Sequence, residues 1–182
     1  MRVLVLNSSR FGHTARIAER VAQRLRAAGH DVAVEPLGPG RRVEVRTSDA
    51  VILGASIRYG HFAREVWRFA SRNARVLEAM PNAFFGVNLV AAKPGKDRVE
   101  TNAYMRKFSE RSPWRPGLVE VFAGELDYPA YNPVDRRLIQ MIMRRTGKPT
   151  DPTFHGIYTD WERVDRFADE VAALLAGPAV RS

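Results

Sequence analysis

The sequence predicts an α/β fold: a doubly wound sheet of five parallel strands in the order 2-1-3-4-5, with an insertion at the fifth strand. Three observations lead there. Short apolar runs of strand length recur along the chain, and most are followed by a segment with helical apolar spacing. The loops leaving those runs are rich in glycine and small polar residues. The last predicted strand is followed by about thirty residues that a minimal fold of this kind does not require.

Arg2 to Leu6 reads as a buried strand. A helix is expected from His13, with Ile17, Ala18, Val21, Leu25 and Ala28 on one face and Gly29 at its C-terminal cap. Asp31 to Glu35 alternates as a second strand, and "GPGRR" ends it. "AVILGA", residues 50 to 55, is the third strand, and Phe62, Val66, Phe69 and Asn73 mark the helix after it. "NAFFGVNLV", residues 82 to 90, is the fourth strand, followed by a helix near Thr101 to Arg111. "LVEVFAG", residues 118 to 124, is the fifth. In the closing helix, Thr159 and Glu162 have capping-box spacing, Trp161, Val164, Ala168, Val171 and Leu175 form the stripe, and Gly177-Pro178 stops it. A single domain over residues 1–178 is expected, with a basic amphipathic insertion at residues 126–150.

No apolar run reaches the roughly 18 to 20 residues of a membrane span. The longest uncharged stretch, Ala79 to Ala92, holds Pro81 and two asparagines and suits a strand. No secretory signal is expected, because the apolar start runs into a polar loop. Zero cysteines exclude disulfides and thiolate-bound metals, and four histidines far apart in sequence argue against a metal site. The net charge of +9, carried mostly by arginine, suits an anionic partner: a phospholipid surface, nucleic acid or a carboxylate-bearing substrate. Charge alone does not choose among them, and basic helix faces in water explain it equally well.

Ligands of doubly wound sheets gather beyond the carboxyl ends of the strands, near the switch point between the first and third. "NSSRFGHT" lies there, opening onto a helix N-terminus whose free N–H groups and dipole favour an anion. Ser8, Ser9 and Thr14 add hydroxyls, Gly12 permits close backbone approach, Phe11 is apolar, and Arg10 or His13 can offset charge. Read alone, the loop is equally an ordinary turn. "GASIRYGH" supplies Ser56, Ile57, Arg58, Tyr59 and Gly60 at the same edge, and "NLVAAKPG" supplies Asn88, Leu89, Val90 and Ala91. Together the three suit a flat heteroaromatic ring with a phosphate tail, of which FMN is the leading example.

The insertion contains "VDRRLIQMIMRR", residues 134 to 145, which predicts a helix. Val134, Leu138, Met141 and Ile142 form an apolar stripe, broadened by Ile139 and Met143, with Arg136, Arg137 and Arg144 towards the opposite side. Attachment to an anionic membrane, cover for a ligand, and simple packing on the domain are all compatible with it. Tyr128 and Tyr131 of "YPAY" either stack on a ligand or fill the joint.

The motifs "SSRFGHT", "GASIRYGH", "NLVAAKP", "TNAYMRKF", "WRP", "AGELDYPAYNPVDRRLIQMIM" and "YTDW" span nearly the whole chain. In them the sequence closely resembles the flavodoxin-like, quinone-dependent protoporphyrinogen IX dehydrogenases of bacterial haem synthesis. Two departures stand out: the family usually has Thr where this chain has Ser9, and a polar or acidic residue where it has Phe11. The resemblance implies a flavodoxin-like fold and non-covalent FMN, its phosphate at Ser8 to Thr14 and its ring between Ser56–Gly60 and Asn88–Ala91. It implies oxidation of protoporphyrinogen IX to protoporphyrin IX, with electrons passed to a membrane quinone, menaquinone or ubiquinone, by a protein peripheral to the cytoplasmic face of the inner membrane. Arg58, Arg136 and Arg137 are the residues expected to meet the substrate propionates. No Ser-His-Asp or paired-carboxylate set is needed when flavin carries the chemistry. A flavodoxin-type electron carrier, an FMN-dependent NAD(P)H:quinone reductase, and a basic membrane- or nucleic-acid-binding module remain the rivals. No nucleic-acid partner is expected, and the oligomeric state is not legible.

Overall fold

Alternation of side chains along each strand gives the sheet two apolar faces, and helices cover both. The structure, a computed structural model, describes residues 1–145 and 149–177; the insertion's residues 146–148 and the expected helix stop at Pro178 lie outside them. The parallel strands are β1 (Arg2–Ser8), β2 (Asp31–Pro36), β3 (Ala50–Arg58), β5 (Asn82–Asn88) and β6 (Leu118–Ala123), in the order β2-β1-β3-β5-β6. Counting parallel strands alone, this is the 2-1-3-4-5 arrangement. A short strand β4 (His61–Phe62) turns back antiparallel on the end of β3.

Val3 and Val5 point to one face, where they join Ile17, Val21 and Leu25 of α1 (His13–Ala27) and Val164, Phe167 and Val171 of α5 (Trp161–Ala176). Leu4 and Leu6 point to the other, with Val66, Phe69 and Leu77 of α2 (Arg64–Glu78) and Met105 and Phe108 of α3 (Ala103–Arg111). Gly54 of β3 pairs with Phe85 of β5, and a Cβ there would lie 2.1 Å from the Phe85 ring, so the close crossing requires glycine.

Several expectations change. "GASIRYGH" is not a plain loop: β3 continues to Arg58, and a two-residue turn at Tyr59 and Gly60, both with positive φ, leads into β4. That pattern belongs to tight hairpin turns, whose backbone matches strand twist. Phe62 therefore lies in the hairpin, and the following helix begins at Arg64. The cap of α5 is Asp160, whose carboxylate accepts from Arg163 N at 3.0 Å, because the Thr159 hydroxyl is drawn to the Ala123 carbonyl at 2.7 Å. Ala28, beyond the end of α1, is exposed.

The insertion builds its own small core. Antiparallel strands β7 (Glu125–Asp127) and β8 (His155–Ile157), each too short to show a period, flank helix α4 (Pro133–Arg145). Leu126, Tyr128, Tyr131 and Met143 are buried together there, with Ile139 and Phe154 against them. Tyr128 is fully buried and donates to the Pro149 carbonyl at 2.8 Å, so it fills the joint. α4 turns Asp135, Ile139 and Met143 inward and leaves Val134 (75% exposed) and Met141 (48%) in solvent.

Candidate functional site

The register aligns strand ends along one edge: Asn7 lies opposite Gly54, Ser8 opposite Ala55, and Ser56 opposite Val87. A cavity of about 280 Å³ opens beyond that edge. The first loop contributes Ser9, Arg10, Phe11, His13 and Thr14; the end of β3 contributes Ser56, Ile57, Arg58, Tyr59 and Gly60; the end of β5 contributes Asn88, Leu89 and Val90. Three expected residues act from behind the wall. The Ser8 carbonyl accepts the Ser56 hydroxyl at 3.0 Å, Ala91 N donates to Asn88 Oδ1 at 3.0 Å, and Gly12, at φ 88°, donates its N–H to Ser9 Oγ at 3.1 Å.

α1 starts at Gly12 with no side chain capping it and no acidic residue in its first turn. Its leading N–H groups are those a phosphate would meet. Thr14 is almost fully buried beside them. Two buried donors of the wall have no partner: Asn88 Nδ2 and Arg58 Nε. Such orphans are costly unless a ligand completes them. An anion-binding helix start, apolar walls and unpaired donors fit the demands of FMN.

His13 takes a different role from the one expected. The Thr159 hydroxyl donates to Ala123 O, so Thr159 Oγ1 accepts from His13 Nε2 at 2.6 Å. His13 Nδ1 faces both Arg16 Nη2 at 2.7 Å and Glu125 Oε2 at 3.0 Å. Burial pushes the ring's pKa below the ordinary value, with nearby Arg16 adding to the shift against the pull of Glu125. Arg10, the other cation expected at the first loop, lies 3.8 Å from Asp135.

Glu125, missed in the sequence, receives Arg16 Nη2 at 2.5 Å, lies 3.0 Å from His13 Nδ1, and pairs with His155. Burial raises its carboxyl, but His155, Arg16 and His13 outweigh that and hold it below the usual range. Histidines 13 and 155, distant in sequence, thus meet on one carboxylate. Asp127 approaches Glu125 and His155 closely enough for a metal-ligand set, yet the Glu125 oxygens are already engaged by Arg16 and His155.

The mouth of the cavity is latched by α4. Asp135 accepts from Arg58 Nη2 at 2.6 Å and from the Tyr59 hydroxyl, and Arg10 lies 3.8 Å away. The Tyr59 hydrogen bond is the largest influence holding Asp135 below the usual carboxylate range; burial opposes it and Arg58 adds to it. The Arg58 guanidinium sits over the Tyr59 ring at 4.6 Å and the Phe11 ring at 5.6 Å, and Phe11 packs on Tyr131 at 4.6 Å. Phe11 therefore contacts the insertion rather than open solvent alone.

The expected propionate arginines are dispersed. Arg58 holds Asp135, Arg136 donates to the carbonyls of Tyr128 and Tyr131 at 3.2 and 3.4 Å, and Arg137 is exposed away from the cavity lining. Also missed were Val87, Tyr104, Gly124 and Asp127; Ile139, Ile142 and Met143, from the stripe for which cover of a ligand was one reading, line the cavity with them. The motif "TNAYMRKF" carried a signal for Tyr104; Asp127 carried none until its strand was paired.

The fold and site together define a doubly wound protein whose edge is shaped to suit a phosphate-bearing aromatic cofactor. Residues 4–153 match the Flavodoxin domain family, and the chain belongs to it. It is 41% identical over 181 residues to the protoporphyrinogen IX dehydrogenase [quinone] of Escherichia coli (strain K12), covering 100% of both chains. It is 46% identical over 180 residues to the protein of the same name from Leishmania major, covering 97% of this chain and 78% of that one. Among solved structures, a flavodoxin from Pseudomonas aeruginosa superposes with TM-score 0.55 at 16% identity, over 97% of this chain and 100% of its own. A short-chain flavodoxin associated with a bacterial microcompartment gives 0.57 at 12% identity, over 96% and 99%. At those identities the structural likeness speaks for the fold.

Proposed function

We propose that the protein is an FMN-dependent oxidoreductase that converts protoporphyrinogen IX to protoporphyrin IX and delivers the electrons to a membrane quinone, in haem biosynthesis. End-to-end kinship with relatives bearing that name carries the reading. The first loop and Thr14 hold the phosphate; Ile57 to Gly60 and Asn88 to Val90 flank the ring, with Asn88 Nδ2 and Arg58 Nε as donors to it. Bound there, the flavin supplies two-electron acceptor chemistry. The protein's own part is to position the reactants, exclude water with Phe11, Tyr131 and α4, and keep Arg10 and Arg58 near the developing charge.

No helix among the described residues is long and apolar enough to cross a membrane. Contact with the quinone-bearing membrane is assigned to α4, whose exposed Val134 and Met141 lie beside exposed Arg137 and Arg144. Apolar side chains flanked by arginines suit an anionic interface, here the cytoplasmic face of the inner membrane. Purified, FMN-loaded protein incubated anaerobically with protoporphyrinogen IX and a quinone tests the activity: porphyrin fluorescence must grow with enzyme concentration and require the quinone. A rate equal to the enzyme-free control ends the proposal. Val134→Asp with Met141→Asp is expected to release the protein from anionic vesicles, and unchanged retention removes the docking role of α4.

A further inference from the structure

Resting on that reading, we propose that a second cavity, on the far side of the β3–β4 hairpin, is the subsite for the carboxylate arms of the porphyrinogen. Its volume is about 300 Å³, and Ile57, Gly60 and Tyr104 line both it and the first cavity. The two spaces therefore adjoin at Ile57, Gly60 and Tyr104. Its apolar wall is aromatic: Trp67 lies 6.2 Å from Phe62 and 5.6 Å from Phe108. Its rim is basic, with His61 from the hairpin and Lys107 and Arg111 from α3. Among the described residues, none of these three side chains makes an ion pair or a hydrogen bond.

That combination selects a ring that carries anionic groups. Protoporphyrinogen IX has four pyrroles and two propionates, too much bulk for a 280 Å³ cavity also serving a flavin ring. The propionates need cations at a distance from the flavin. Arg58 and Arg136 already hold partners on the insertion, whereas, among the described residues, Lys107 and Arg111 have none. A neutral quinone ring has no corresponding need for positive charge. Ion pairing at this half-exposed rim supplies modest affinity and strong selection for a dianion over its ester.

The test uses FMN-loaded protein and protoporphyrin IX, the stable product with the same two carboxylates, with binding followed by fluorescence anisotropy. Lys107→Gln with Arg111→Gln is expected to weaken the diacid about 30-fold, at roughly five- to sixfold per cation. Its dimethyl ester is expected to bind the wild-type protein weakly and the double variant no worse. Diacid affinity of Arg72→Gln, exposed on α2 and outside both cavities, and FMN affinity in the double variant are expected to stay at wild-type values. Diacid affinity unchanged in the double variant overturns the subsite. So does equal wild-type affinity for diacid and ester, or a raised KM for the quinone with the porphyrinogen KM unaltered. Wild-type protein that binds the diacid with this charge dependence but never turns over porphyrinogen overturns the proposed activity and leaves the subsite standing.

Discussion

Replacing Asn88 by alanine separates what the cavity wall does for the fold from what it does for the cofactor. Asn88 is almost fully buried; its Oδ1 accepts from Ala91 N at 3.0 Å and from Asn102 Nδ2 at 3.2 Å, while its Nδ2 is unpaired. Asn102 Nδ2 keeps a second acceptor, the Lys96 carbonyl at 3.0 Å, so the substitution strands one buried donor, Ala91 N–H. Stranding a buried donor costs about 1–3 kcal/mol. For a chain of this size, each kcal/mol lowers the melting temperature by about 2–4 °C, so the fall in the cofactor-free protein is at most roughly 12 °C, because removing the unpaired Nδ2 offsets part of the cost. Loss of the Nδ2 donor removes a further hydrogen bond of about 0.5–1.5 kcal/mol from FMN, a two- to twelvefold weaker affinity. Thermal unfolding without FMN measures the first effect, and flavin-fluorescence titration measures the second. Unaltered FMN affinity refutes the donor role; a raised melting temperature refutes the account of the turn.

Three other outcomes are expected. Thr14→Val weakens FMN more than Thr47→Val, because Thr14 lines the cavity while Thr47 bonds only to the Glu44 carbonyl; titration of both variants checks it. Gly54→Ala destabilises by about 1–3 kcal/mol, since the new methyl overlaps the Phe85 ring and the paired strands must part; denaturant unfolding reads the loss. The depressed His13 pKa means the unfolded chain binds a proton first as pH falls. Its contribution to stability is complete above about pH 6.5 and is lost as pH falls through the interval down to the folded value. The melting temperature of the wild-type protein should accordingly fall more steeply than that of His13→Gln between pH 7.5 and the acid edge of that interval, and parallel curves would defeat the assignment.

Much of the central sheet was legible because its signals are local. Runs such as "AVILGA" and "NAFFGV" need only their own composition to be recognised as buried strands, and Gly29 needs only its place after a helical stripe. The three edge segments were legible as well, since parallel strands of a doubly wound sheet deliver their ends to one side. Glu125 was not. Its importance comes from Arg16, His13 and His155, residues about 110 and 30 positions away along the chain, and no window of sequence contains them all. α4 was recognised as a helix, but which part of its broad apolar stripe turns inward was left open, because that is set by the latch of Asp135 on Arg58 and Tyr59, which hydropathy does not register.

The sequence by itself determined the layered sheet, its strand order, the edge at which three segments gather, and the family likeness, all of which follow from short-range periodicity and motif. Tertiary structure alone decided which cations lack a partner among the described residues, which histidines share a carboxylate, and which side of the inserted helix meets solvent. Those properties depend on partners brought together by folding: a charged side chain acts on a ligand only when no nearer group has already taken its charge.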